Sequence, residues 1–96
     1  MKKQQAIELL SRSKPLLQEQ FGVTKLALFG STARDTAQSN SDIDILISFD
    51  TPATSKLYFG VLFYLEDLLE CPVDLITETA LRPELRPFIE AETIYV

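Results

Sequence analysis

The chemistry this sequence could perform is concentrated in a glycine–serine pair and three aspartates. Asp42 and Asp44 stand one residue apart in the run Ser41-Asp42-Ile43-Asp44-Ile45-Leu46-Ile47. Side chains alternate along a strand, so both carboxylates fall on one face, about 7 Å apart at ~3.3 Å per residue. Like charges so close among apolar neighbours resist ionisation unless a cation lies between them. The spacing therefore asks for a metal. Upstream, an apolar run from Lys25 to Phe29 ends in Gly30-Ser31, followed by Arg34. A strand turning into a helix there presents free backbone N–H groups and the positive end of a helix dipole, which suits phosphate. Gly30 permits close backbone approach, the Ser31 hydroxyl can donate, and Arg34, one turn on, can offer a charged fork to the same oxygens. Asp42 and Asp44 would then hold two metal ions, or one ion and the metal-bound nucleotide, and bridge phosphate to protein. Asp74 adds a third carboxylate if its strand lies beside theirs with the aspartate on the same face. It would bind the catalytic metal and accept the proton of an attacking hydroxyl.

Composition bounds that reading. Ninety-six residues, 46% hydrophobic and 24% charged, fit one globular domain spanning 1–96. A net charge of -5 with nine scattered Lys and Arg argues against direct DNA binding, which needs clustered cations. A small phosphorylated ligand held through a metal remains compatible. The sequence has no histidine, so a metal would be bound mainly by oxygen; Mg²⁺ or Mn²⁺ is favoured over zinc, and the commonest general base is absent. A single cysteine, Cys71, excludes an internal disulfide and fits a reducing compartment. With no stretch of ~20 apolar residues and no signal-peptide core, the expected location is cytoplasmic, away from membranes.

The elements that must position these residues follow from periodicity. Ile7, Leu10, Leu17 and Phe21 recur at near-helical spacing over Lys2 to Gln20. Pro15 should interrupt or kink this helix, with Ser13 capping a second segment and Gly22 ending it. Thr24 to Phe29 reads as a strand, apolar on both faces and so central in a covered sheet. Ser31 to Thr36 reads as a short helix capped by Ser31, and Ala37 to Ser41 as a polar turn. Asp42 to Phe49 is the second strand. Thr54 or Ser55 caps a helix to about Glu70, with Leu57, Tyr58, Val61, Leu62, Leu65, Leu68 and Leu69 on its core face and Phe59 and Phe63 opposite. Pro72 stops it, and Val73 to Thr77 is a third strand with Asp74 and Ile76 sharing a face. A last helix from about Glu84 to Ala91 and an apolar Ile94-Tyr95-Val96 complete the order. The fold class is α/β (α+β), a small mixed sheet flanked by helices.

These residues also carry a resemblance. Gly30-Ser31, ten residues, Asp42-Ile43-Asp44 and a later lone Asp74 resemble the signature of the nucleotidyltransferases of the DNA polymerase beta superfamily. The string FGSTARDTAQSNSDIDILI and the length are similar to its smallest members, the minimal nucleotidyltransferase (MNT) proteins. The resemblance implies a polymerase-beta-like fold, with the triphosphate of ATP on Gly30 and Ser31 and two Mg²⁺ ions on Asp42, Asp44 and Asp74. Arg34 follows the Gly-Ser-x-Ala-Arg form of the small members, and Asp35 stands where a glycine is common. Many such proteins pair with a helical HEPN-domain toxin, a ribonuclease, and act as antitoxin by transferring AMP to a toxin tyrosine. The rival reading is a non-catalytic antitoxin that silences its partner by occlusion; transfer to a small molecule usually needs a further domain.

Each residue also has a plainer role. The Asp42/Asp44 pair could guard an edge strand, Asp74 could be a solvated carboxylate, and Arg34 a surface ion pair. Phe59 and Phe63 could pack under a loop or form a patch that meets a partner. Asn40-x-Asp42-x-Asp44 imitates a calcium loop, but Ile45 occupies the glycine position and Thr51 the final glutamate position.

Overall fold

A computed structural model of the chain describes residues 1–34 and 42–96. Helix α1 (Lys3–Phe21) leads into strand β1 (Val23–Phe29) and a one-turn helix, α2 (Gly30–Ala33). Strand β2 (Ile43–Phe49), helix α3 (Ser55–Leu69), strand β3 (Val73–Thr77), helix α4 (Arg86–Glu92) and strand β4 (Ile94–Tyr95) follow. Among the described residues the strands form one mixed sheet in the order β3-β2-β1-β4. Strand β1 is antiparallel to β2 and β4, while β2 and β3 are parallel and joined across α3.

Alternation assigns the two faces of the sheet. Leu26 and Leu28 of β1, Ile43, Ile45 and Ile47 of β2, and Val73 and Leu75 of β3 are buried against Ala6, Leu10 and Leu17 of α1 and Val61, Leu65 and Leu69 of α3. The other face carries a second, smaller cluster, Ala27, Phe29 and Leu46, with Ile76 and Ile89 of α4 packed on it. Asp44, Asp74, Ser48 and Lys25 share that less covered face.

Four local expectations are corrected. Pro15 does not break α1, which runs unbroken through it. Pro15 and Ser11 are both exposed, so the carbonyl that loses its i+4 donor faces water and the cost stays small enough for packing to override. Ser13 caps nothing; it is buried and its hydroxyl donates to Leu10 O at 2.9 Å, a back-bond within the helix. Ser31 is not the cap of α2 but lies inside it, after an extended Phe29 at the N-cap. The last helix begins at Arg86 rather than near Glu84, and an unexpected 3₁₀ turn, Glu78–Ala80, precedes it. The remainder of the expected Ser31–Thr36 helix, the Ala37–Ser41 turn and Asp35 lie outside the described residues.

Other boundaries follow their sequence signals. Gly22, at φ 71°, closes α1 with its N–H donating to Gln18 O. Thr54 caps α3, its hydroxyl accepting from the Leu57 N–H at 3.2 Å. Glu70 ends α3 at φ 56°, a left-handed turn without glycine, two residues before Pro72.

Candidate active site

The candidate residues meet at one end of the sheet. Phe29, the last residue of β1, pairs with Asp44 of β2, and Asp44 pairs with Asp74 of β3. Directly opposed residues in a sheet project to the same side, so Asp44 and Asp74 face each other, close enough for the charge of Asp74 to act on Asp44. Asp42, exposed, immediately precedes β2, and its charge acts on both Asp44 and Cys71.

The phosphate-binding candidate abuts this pair. Gly30 sits at φ 73°, and a Cβ there would lie 2.8 Å from Asp44 Cγ and closer still to Oδ2. Only glycine lets the backbone turn under the carboxylate in this conformation. Ser31 and Thr32 continue the turn. The Thr32 hydroxyl is buried and has no hydrogen-bond partner among the described residues.

The electrostatics follow from crowding. Asp44 is pushed up to about 6 from 3.8, first by burial, then by the charge of Asp74, the hydrogen bond between the two carboxyls and the charge of Asp42; Arg34 pulls the other way. Asp44 in this condition keeps its proton into mildly acidic pH, and a cation beside it would favour its ionised form. Burial and the charge of Asp74 likewise push the Tyr58 hydroxyl up. Burial raises the Cys71 thiol, leaving it a poor nucleophile.

Arg34 has a partner the sequence did not disclose. Its Nη1 donates to Glu92 Oε2 of α4 at 2.7 Å, an ion pair with the arginine about half exposed. The plainer role considered for this residue is the one seen, although its charge still reaches Asp44. A second network went unanticipated. At the far end of the same face Glu78 accepts from Ser48 at 2.5 Å and from Arg86, with Lys25 nearby, and these contacts hold its carboxyl below the ordinary range. A cavity of about 850 Å³ lies beside it, lined in part by Asp50, Thr51, Glu78 and Arg86. It holds ion-paired groups, whereas Asp44 and Asp74 crowd like charges together, which makes the carboxyl pair the candidate site.

The donor set fits an oxygen-preferring divalent ion. Two crowded carboxyls, one with its proton held to higher pH, adjoin a glycine turn that packs directly against the Asp44 carboxylate. Among the described residues no group of three or more acidic or cysteine side chains is arranged to hold a metal. Asp44 and Asp74 would need ligands from elsewhere to complete a coordination shell, and phosphate oxygens are the natural source. Such an arrangement could hold a metal-bound nucleotide and take a proton from a hydroxyl.

Comparison with known proteins agrees with that chemistry. The nucleotidyltransferase domain model matches residues 10–96. The chain is 34% identical over 88 residues to the protein adenylyltransferase MntA of Thermococcus cleftensis, covering 92% of this chain and 89% of that one. It is 39% identical over 90 residues to a Methanocaldococcus jannaschii protein provisionally named a protein adenylyltransferase, covering 93% and 92% of the two chains. A solved structure provisionally described as a minimal nucleotidyltransferase superposes with a TM-score of 0.84 at 30% identity, over 98% of this chain and 95% of that one. A toxin–antitoxin crystal structure with AMP-PNP shares the fold at a TM-score of 0.70 and 22% identity, over 99% and 72%. So does a complex of a tri-AMPylated Shewanella oneidensis HEPN toxin with its MNT antitoxin, at 0.60 and 19%, over 97% and 66%. The chain thus belongs to the nucleotidyltransferase family and, within it, to the minimal nucleotidyltransferases.

Proposed function

We propose that this protein is a cytoplasmic antitoxin that transfers AMP from ATP to a tyrosine hydroxyl of a partner HEPN-type toxin. The observation that carries the reading is the Asp44–Asp74 carboxyl pair set against the Gly30 turn. Gly30 and Ser31 take the triphosphate, aided by Arg34 once it leaves Glu92. Asp42, Asp44 and Asp74 hold two Mg²⁺ ions, for which Mn²⁺ can substitute. Divalent ions held there would supply neutralisation of the charge on the α-phosphate and on departing pyrophosphate. The acceptor hydroxyl attacks the α-phosphorus in line and its proton passes to Asp74, since the chain has no histidine. A tyrosine O–P bond forms, the α–β phosphoanhydride breaks, and pyrophosphate leaves from the Gly30 side. Support comes from the relatives named protein adenylyltransferases and from fold neighbours that include MNT–HEPN complexes. Neither membrane nor DNA enters the reaction. Among the described residues no helix is long and apolar enough to cross a membrane.

A second reading, antitoxin action by occlusion, is favoured by the engagement of Arg34 with Glu92 and by the lack of a ready three-carboxylate group among the described residues. One experiment separates them. The protein encoded in the adjacent reading frame is incubated with this chain, ATP and Mg²⁺, and both are weighed intact. Wild type should add AMP to the partner. The Asp42→Asn/Asp44→Asn variant should slow addition at least ~10²-fold, as loss of an electrostatic stabiliser does, and abolish neutralisation while the complex still forms. Neutralisation that survives the double variant overturns catalysis in favour of occlusion.

A further inference from the structure

Two features on the β3 side of the sheet have no part in the transfer chemistry. Phe59 and Phe63 of α3 are 47% and 62% exposed, with rings stacked 6.0 Å apart. Beside them opens a cavity of about 360 Å³, lined by Tyr58, Phe59, Leu75, Ile76, Thr77 and Ala80 among others. Its β3 wall starts one residue beyond Asp74, and Ile76 stands two residues, about 7 Å, along the strand from it.

The direction of attack selects this side of the molecule. The phosphate turn follows β1, and the carboxyl pair spans β2 and β3 in the order β3-β2-β1-β4. In-line displacement puts the acceptor opposite the leaving group, so with pyrophosphate on the β1 side the acceptor arrives from the β3 side. A second apolar patch is thereby rejected. Phe88 within α4 and Leu85 at its N-cap are 74% and 46% exposed, and α4 is tied through Glu92 to Arg34 on the leaving-group side.

We infer that the acceptor protein docks along the outer side of β3, seating an apolar side chain in the 360 Å³ cavity and packing on the Phe59–Phe63 ridge. This rests on the protein-acceptor reading above. Docking proceeds through side chains and not by strand addition, because α3 already occupies backbone groups of β3: Glu66 accepts from the Val73 N–H at 3.1 Å and Tyr58 donates to Leu75 O at 2.5 Å. Along α3 the ridge is followed by exposed Asp67 one turn on and Glu70 at the helix's end, on a chain of net charge -5. The complementary surface is therefore an apolar projection framed by Lys or Arg.

The test is the dissociation constant of the purified protein from the adjacent reading frame, read independently of turnover. Phe59→Ser/Phe63→Ser should weaken it at least ~10-fold, as loss of paired aromatic anchors does, while binding of a non-hydrolysable ATP analogue stays unchanged. Leu85→Ser/Phe88→Ser should stay within about twofold, the range of contacts outside a hot spot. Asp67→Lys/Glu70→Lys, which leaves the apolar residues intact, should also weaken binding and reverse its salt dependence. An unchanged constant for the aromatic variant, a larger loss from the α4 variant, or no wild-type complex overturns the docking site. If the complex forms with this pattern but no AMP is transferred, the docking site stands and the transfer reading falls.

Discussion

Asp44 holds its proton to about pH 6 in the fold, against 3.8 for a free aspartate, and this sets a sign for stability. A carboxyl whose folded-state value is raised contributes full stability below about pH 4 and loses it as pH rises through about 6. Asp44→Asn, isosteric with the protonated form, should match wild type in Tm near pH 4 in the absence of divalent ions. Near pH 7.5 it should exceed wild type by roughly 2–5 °C, an effect kept small by solvent screening. A lower Tm at pH 7.5 would mean the carboxylate is a structural partner instead. Gly30→Ala is harsher, since φ 73° costs a side chain about 1–2 kcal/mol and the new Cβ displaces Asp44. Its transfer rate should fall by ~10² or more, as with other lost positioning groups, while circular dichroism reports a folded chain. A rate within twofold of wild type would show that the close approach of turn and carboxylate is immaterial. At this scale the sequence was most informative where period two governs: alternation alone put Asp74 with Ile76 and Asp44 with Leu46. The Arg34–Glu92 pair was illegible because the partner lies 58 residues away and meets Arg34 only once α4 crosses the sheet.

At the scale of elements, the helices show tertiary packing overriding local preference. Leu10 and Leu17, on either side of Pro15, are both fully buried in the main core, so breaking α1 would expose one of them. The proline is carried at a cost. Pro15→Ala should restore a donor to the Ser11 carbonyl and raise unfolding stability by about 1–3 kcal/mol, measured by urea denaturation. An unchanged or lowered midpoint would mean that α1 has already relaxed around the proline. Capping was readable at Thr54 and at Gly22 because each uses local chemistry. The 3₁₀ turn at Glu78 was not, since it is held by Ser48 and Arg86 from other elements. Helix α4 was placed two residues early for the same reason: Arg86 is drawn to Glu78, and only Ile89 of its apolar residues enters the smaller cluster.

For the whole molecule, topology determines what the site can do. The crossover through α3 makes β2 and β3 parallel neighbours and sets Asp74 opposite Asp44, a pairing that strand periodicity permits but does not dictate. The helices α1 and α3 pack on one face and α4 covers the other in part, with the carboxyls at one end of the sheet. Composition had excluded a broad polyanion surface and, through the absent histidine, turned attention to oxygen ligands. It could not give the strand order or the face on which a partner lands. The most direct measurement is a calorimetric titration of Mn²⁺ into the protein at pH 7.5 with a non-hydrolysable ATP analogue present, for wild type, Asp44→Asn and Asp74→Asn. The account expects saturable binding by wild type, release of protons on binding, and affinity lowered at least ~10-fold in each variant, as for lost ligands of a shared ion. Equal Mn²⁺ binding by all three proteins would contradict it.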